Sequence, residues 1–536
     1  MEIKELKTDV LIVGGGVGGC AAALAACASG CDVILTEESD WIGGQLTSQA
    51  TPPDEHGWIE RFGCTRSYRR MRDAVRDYYR KFYPLTERAK ANPFLNPGDG
   101  WVSPLCAEPS VFLKTLENTL AEYVERGNLQ IFTEYFPVAA NFEGEEIRAI
   151  TLKNLKDGAE TTIAARFFID ATELGEILPL TKTEFVTGAE SKAETGEPNA
   201  KDAPEPNNSQ AFSVCFALDY HAGENHTIEK PAEYEFWRDF APDLTPRWSG
   251  KLLSLDGISP RALQPIKYNF APHGEPNKAF AGLWTYRRIL HRENFIENAY
   301  DSDITLVNYP QIDYFLEDLS NAANYEEKQR LIGEAGQLSL SFLYWLQTEA
   351  GFDGLKIRPD VTGTTNGLAK MPYIRESRRI KAEFTVCEQH VSAACRPGEI
   401  YAEKFADSIG IGFYRIDLHP TVGGDNYLDV EALPFQIPLG ALIPQERENL
   451  LAACKNIGTT HITNGCFRLH PVEWNVGEAA GALAAFCLEK NLTPRAVRNK
   501  PRLLNEFQNH LINRGLELEW RGNLQLAEGD PHRHAL

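Results

Sequence analysis

Gly14, Gly16 and Gly19 stand at G-x-G-x-x-G spacing between an apolar run, Val10 to Val13, and a small-residue helix. Each has a physical job. Gly14 permits a tight strand-to-helix turn, Gly16 lets the backbone approach a pyrophosphate, and Gly19 lets the helix lie close on the strand. Val17 and Gly18 fall at the helix N-terminus, where free N–H groups and the dipole attract phosphate. A second apolar run, Val33 to Leu35, ends at Glu37. A carboxylate there can accept from both hydroxyls of a ribose, with Glu38 beside it. Strand, turn, helix, strand and acid are all in place, which predicts a dinucleotide-binding βαβ unit. A glycine-rich turn in an ordinary α/β unit would leave Glu37 unexplained.

Proton chemistry falls to the histidines, which titrate near neutral pH. His419 lies in RIDLHPTVGG, followed by a glycine pair and Asp425. His461 and His470 flank Arg468 in THITNGCFRLHPVEW, and His56 lies in PPDEHGW. Each equally suits a loop cap or a core hydrogen bond, because environment decides which histidines react. Arg375, Arg378 and Arg379 form the strongest cationic cluster of the middle region. Guanidinium forks bind carboxylates, so Arg378 is a candidate for holding an acidic substrate or balancing charge. The competing reading is an internal ion pair with Glu376 or Glu383. In the stretch 67–82, Asp73 and Asp77 stand four residues from Arg69 and Lys81, which predicts a solvated, salt-bridged helix face. Tyr344, Trp345, Tyr414 and Trp284 are candidates for a substrate wall, against the commoner role of aromatics in a core.

Those groups need a large scaffold. The 536 residues are 43% hydrophobic, enough for two or three domains with real cores. The net charge of −21 repels phosphate backbones, so no nucleic-acid partner is expected. The first residues lack a basic stretch followed by an unbroken apolar one, and no apolar run approaches membrane-spanning length. The expectation is a cytoplasmic protein without a membrane partner. Eleven cysteines are scattered with no C-x-x-C, which predicts buried thiols and no metal site.

Along the chain, 50–105 reads as an excursion rich in Pro, Gly and aromatics, with one helix over 67–82. A helix over 110–126 precedes strands at 130–135, 147–153 and 161–169, the last running into Asp170-Ala171-Thr172. Residues 188–209 read as a surface loop or domain crossing. A strand returns near 449–453, and a small-residue helix covers 475–489 or opens a turn earlier at Pro471. The predicted fold class is α/β: a Rossmann-like dinucleotide domain with a parallel sheet and β-meander, built from 1–205 and 431–500. An inserted α+β substrate domain spans 206–430, and 501–536 is a C-terminal extension. A substrate would then lie at a domain interface.

GGGVGG with Glu37, WIGGQLTSQATPPDEHGWIE (41–60), the turn at 170–172, PYIRESRRI (372–380) and the stretch 434–482 together resemble the FAD-dependent oxidoreductases of the two-domain, glutathione-reductase and fumarate-reductase-like group. The resemblance implies FAD as cofactor, with its pyrophosphate on the Gly14–Gly19 loop and its ribose on Glu37. It implies a second flavin loop at Gly43, Gly44 and Gln45 and an adenine contact near Val138. It also places Ala171 and Thr172 close to the cofactor, with a last contact at Asn456 in Ala452–Gly458. Many relatives carry Gly-Arg or Gly-Asp at that last turn, where this chain has Cys454-Lys455-Asn456. The N-terminus of the C-terminal helix, near Val476, would stabilise negative charge on the reduced flavin.

The leading expectation is hydride transfer between a small organic substrate, one class being carboxylates, and flavin N5, with reoxidation by oxygen or another acceptor. A monooxygenase or halogenase-like enzyme is the alternative, and a protein using FAD for structure or redox sensing is a third. An oligomer is compatible with the sequence.

Overall fold

The computed structural model of the protein describes residues 4–272 and 282–522, so the end of the C-terminal extension, 523–536, lies outside the described residues. The elements of its first part are β1 (Lys4–Val13), α1 (Val17–Ala28), β2 (Val33–Glu37), α2 (Arg66–Phe82), α3 (Glu87–Ala91), α4 (Pro109–Arg126), β3 (Leu129–Thr133), β4 (Tyr135–Glu143), β5 (Glu146–Asn154) and β6 (Glu160–Asp170). The six strands form one sheet in the order β3-β2-β1-β6-β5-β4, joined by the late strand Leu450–Ala452.

β6 is the hinge of this sheet. One edge runs parallel to β1. Its other edge is shared: Glu160–Ala164 pair antiparallel with β5, while Phe168–Asp170 pair parallel with Leu450–Ala452. The two ends of the chain therefore meet on one strand, giving a mixed α/β fold with a parallel-rich sheet. Val10–Val13 are buried on both faces, as a central parallel strand requires. The single strand expected over 130–135 is divided at Glu134, whose φ of +63° turns the chain from parallel β3 into antiparallel β4.

The helix His470–Lys490 opens at Pro471, one turn before the capping pattern at Asn475 and Glu478. Its small residues meet α1. A Cβ at Gly477 would stand 2.0 Å from the Gly18 carbonyl oxygen, and one at Gly481 2.2 Å from that of Ala22. Close helix crossing therefore accounts for the glycines, and Val476 is fully buried in the same core.

A second core gathers around an antiparallel sheet of Arg288–Leu290, Ile304–Val307, Phe216–Tyr220 and Leu355–Ile357. The helix Tyr325–Thr348 packs on it, capped by Asn324 and burying Leu338, Phe342 and Leu346. Trp284 is part of this core, with Tyr344 and Trp345 packed against it.

Two expectations are corrected. The arginines of α2 do not all lie on a solvated face: Arg72 and Arg76 are 0% and 1% exposed. Arg72 pairs with Glu55 at 2.8 Å and Glu60 at 2.7 Å, and Arg76 donates to Glu60 and to the Leu95 carbonyl. They pin both ends of the 50–105 excursion to one helix. Asp73 and Asp77 pair three residues away instead of four, with Arg76 at 3.6 Å and Arg80 at 2.7 Å. Of the two readings of 188–209, a free surface loop does not hold, because Glu197 is buried against Glu388 and Thr460 and Asn208 against Gly423.

Candidate cofactor groove and active-site pocket

The glycine turn lies where four backbone segments converge. Gly14 has φ +100°, and a Cβ there would stand 2.2 Å from the Ala171 carbonyl oxygen. A Cβ on Gly19 would strike the Gly14 carbonyl at 1.9 Å, and one on Gly18 the Ala453 carbonyl at 1.8 Å. The second loop closes the group: the Gly43 N–H donates to Gly15 at 2.7 Å, and Gly44 abuts Gly16. α1 starts at Val17 with no cap from its own N-cap residue and no acid in its first turn, and the Glu473 carboxylate already accepts from one of its first N–H groups, at Gly18, as an anion is expected to do there.

A groove follows this turn, bordered by Gly14, Gly16, Glu37, Glu38, Gly44, Gln49, Ala171, Thr172 and Glu173. Glu37 accepts from the Gly15 N–H at 2.9 Å and from Ser39, and burial pushes its carboxyl up to about 7. Val138 lines an adjoining cavity of about 430 Å³ together with Phe136, Glu176, Lys328 and Arg378. Three buried oxygens at the groove, Glu38 Oε1, Gln49 Oε1 and Glu173 Oε1, make no hydrogen bond among the described residues. Acceptors in that state suit a ligand bearing hydroxyl and amine donors, and a glycine cradle suits a diphosphate. The residues fit a dinucleotide.

Lys455, which the sequence did not single out as a contact, anchors Glu173 at the edge of the groove. It is fully buried, pairs with Glu173, and lies 3.4 Å from Glu473. Cys454, Glu173 and Glu473 come within metal-ligating reach of one another, but the lysine ammonium occupies their midst. Glu473 joins three segments: it accepts from the Gly18 N–H at 3.2 Å, from Gln45 Nε2 at 2.6 Å and from Lys455. An acid therefore sits in the first turn of the C-terminal helix, where its dipole points. Asn456 is fully engaged, accepting from the Cys454 N–H and donating to the Asp170 carbonyl. Thr172 turns back onto Asp170, with its hydroxyl donating at 2.7 Å.

A second pocket, of about 60 Å³, is lined by Arg468, whose carbonyl accepts from Gln45 Nε2. Its polar wall consists of Asp54, Arg287, Asn308, Arg375, Asp417, His419 and Arg468, and its aromatic wall includes Tyr286, Tyr373, Tyr414 and Tyr427. His419 Nδ1 lies 2.6 Å from Asp313, which in turn pairs with Arg375 at 2.9 Å. His419 Nε2 lies 3.7 Å from Asp417, which pairs with Arg468 at 3.3 Å. Burial opposes charge on Asp313, but Arg375 and His419 hold its carboxyl below the usual range. Arg287 differs from its neighbours. It is 9% exposed, meets only Asp54 at 3.5 Å among carboxylates of the described residues, and leaves Nε and Nη1 without hydrogen bonds.

The other expected residues go elsewhere. His470 accepts from the Asp54 N–H at 3.1 Å, and burial with Arg287, Lys455 and Arg468 nearby holds its pKa far below the ordinary value, so its ring is neutral. His461 Nδ1 lies 2.9 Å from Glu376 and faces a different cavity of about 280 Å³, with Lys201 and Asp425. The strand Ile416–Leu418 separates the two: Leu418 lines the outer cavity, while Asp417 and His419 line the inner one. Arg378 donates to the carbonyls of Leu174 and Ser320, beside the Val138 cavity and away from His419. Arg379 is internally paired with Glu376 and Glu190. His56 closes a local turn with Gly63 and Trp58.

A family profile described as FAD dependent oxidoreductase matches residues 9–511. The chain belongs to that family. FAD is therefore its cofactor, and the glycine cradle with its unpartnered acceptors is where the residues fit it. An L-amino acid oxidase from Cerastes cerastes is 40% identical over 73 residues, 14% of this chain and 14% of that protein. Among solved structures, the OxyS anhydrotetracycline hydroxylase from Streptomyces rimosus covers 94% of this chain and 66% of its own, at 9% identity and a TM-score of 0.36. The quinol fumarate reductase of E. coli covers 96% and 74%, at 12% identity and 0.30. The chain thus spans about a seventh of the curated relative and just under two thirds of the hydroxylase. Likenesses this low decide nothing about activity. No helix among the described residues is long and apolar enough to cross a membrane.

Proposed function

We propose that this flavoprotein oxidises a small carboxylate-bearing organic substrate by hydride transfer. The observation that carries the reading is Arg287, a buried guanidinium with one loose carboxylate partner in a pocket of about 60 Å³. A buried cation so poorly paired favours an anionic ligand, and a fork favours a carboxylate. The chemistry that bound FAD supplies is acceptance of the hydride at N5, with later reoxidation by oxygen or another acceptor. Arg287 binds and orients the substrate. His419, turned by Asp313 so that Nε2 faces the pocket, takes the proton that leaves as the carbon–heteroatom or carbon–carbon double bond forms. The tyrosine wall limits water.

Anaerobic mixing with small carboxylates and their methyl esters tests this, following loss of the oxidised-flavin band. A carboxylate that bleaches while its ester does not supports the reading. Arg287→Met is expected to raise the half-saturating concentration roughly thirtyfold or more, the scale of losing one partner of a buried charge pair. Bleaching only by a nicotinamide or a partner reductase would favour oxygen activation instead, and bleaching by no reductant a redox-sensing role.

A further inference from the structure

Lys328 belongs to the first turn of the helix Tyr325–Thr348, within the region of the second core, yet its ammonium lies in the cavity adjoining the dinucleotide groove, bonded to two acids that border the groove. It is 4% exposed. It donates to Glu38 at 2.6 Å and to Glu176, and lies 5.0 Å from the centre of the Phe136 ring. Glu38 follows β2, Glu176 follows β6 and Phe136 begins β4, so three segments of the groove converge on one cation brought from another part of the chain. Burial opposes the charge on Lys328, but Glu176 and Glu38 hold its pKa above the ordinary value.

Charge explains why the groove needs it. Glu37, Glu38, Glu173 and Glu176 all border the groove. A diphosphate adds more negative charge to that wall, at low effective dielectric. Among the described residues, the cations paired with these carboxylates are Lys328, between Glu38 and Glu176, and Lys455, between Glu173 and Glu473. Each lysine is inserted between two acids at opposite ends of the glycine turn. Glu38 Oε1 stays buried and unpartnered while Oε2 takes the lysine, so the acid has an acceptor left for the cofactor.

We propose that Lys328 is a cofactor-affinity residue for the adenosine end of FAD. It neutralises Glu38 and Glu176, and it ties cofactor binding to the region that carries Arg287. The inference rests on the FAD groove and is independent of the substrate reading.

The test is FAD release from the purified holoenzyme on serial dilution, read as recovered free-flavin fluorescence, with melting temperature measured in parallel. Lys328→Met is expected to weaken FAD binding roughly tenfold or more, the scale of leaving buried carboxylates without their cation. Adding Glu38→Gln and Glu176→Gln to it is expected to restore the affinity to within a few-fold, because the uncompensated charge is gone. Unchanged release in Lys328→Met, with only a lower melting temperature, would reduce the lysine to a structural tie and overturn the proposal. Failure of the folded triple variant to recover affinity would overturn it too. Should the single variant not accumulate, the triple variant alone decides: near-native FAD affinity supports the inference, and lost affinity sinks it.

Discussion

At the scale of the residue, His419 and Arg287 show two kinds of legibility. His419 was a candidate from its type and its setting in RIDLHPTVGG, and it does line the charged pocket. Arg287 stands in a stretch, WTYRRIL, with no motif, beside Arg288, which is paired with Asp303. What distinguishes the two arginines is the shortage of partners around one of them, and a partner shortage has no sequence signature. The same holds for His461 and His470, whose roles follow from Glu376 and from the Asp54 N–H. His419→Gln is expected to lower the rate of substrate-driven flavin reduction by ~10²–10⁴, the usual span for a positioned acid–base group. Stopped-flow reduction at saturating substrate measures it, with FAD content unchanged because His419 stands outside the groove.

At the scale of the element, the periodicities located α2, α4 and the C-terminal helix to within a few residues, but burial of charge was misjudged. α2 has alternating arginines and aromatics, which reads as a wet face. The excursion folds back and brings Glu55 and Glu60 onto that face, so Arg72 and Arg76 become the interior. Burial opposes the charge on Glu60, yet Arg72 and Arg76 lower its carboxyl from 4.5 to about 2. A carboxyl depressed in the folded state contributes stability that is present above its unfolded pKa and lost as pH falls towards the folded one. Denaturant titrations are therefore expected to show stability declining between pH 4.5 and about 2. Glu60→Gln is expected to remove up to about 3 kcal/mol at neutral pH and to flatten that decline.

At the scale of the whole molecule, the cofactor groove is assembled from segments far apart in the chain: the glycine turn, the second loop, the start of β4, the end of β6 and Met371. Binding there fastens segments from Val13 to Met371, so FAD is expected to stabilise the fold as a whole. Free FAD at a hundred times its dissociation constant gives about 2.7 kcal/mol by mass action. Thermal melts with and without added FAD measure the shift. Gly16→Glu is expected to abolish it, because the new side chain would meet Glu173 Oε1, 2.8 Å from the position of a Cβ there.

The sequence by itself determined the βαβ unit, its glycines and Glu37, because a tight turn, a close helix and an acid at a strand end are local demands met by neighbouring residues. The late strand near 449–453 was legible too, as a short apolar run, whereas its pairing with β6 is a property of the fold. Through-space packing alone sets Lys328 and Lys455 against the acids that border the groove, places Gly477 and Gly481 against α1, and opens His419 and His461 onto different cavities. Those outcomes depend on which charges and backbones meet through space, and a burial cost shared among residues hundreds of positions apart leaves no pattern in any one stretch.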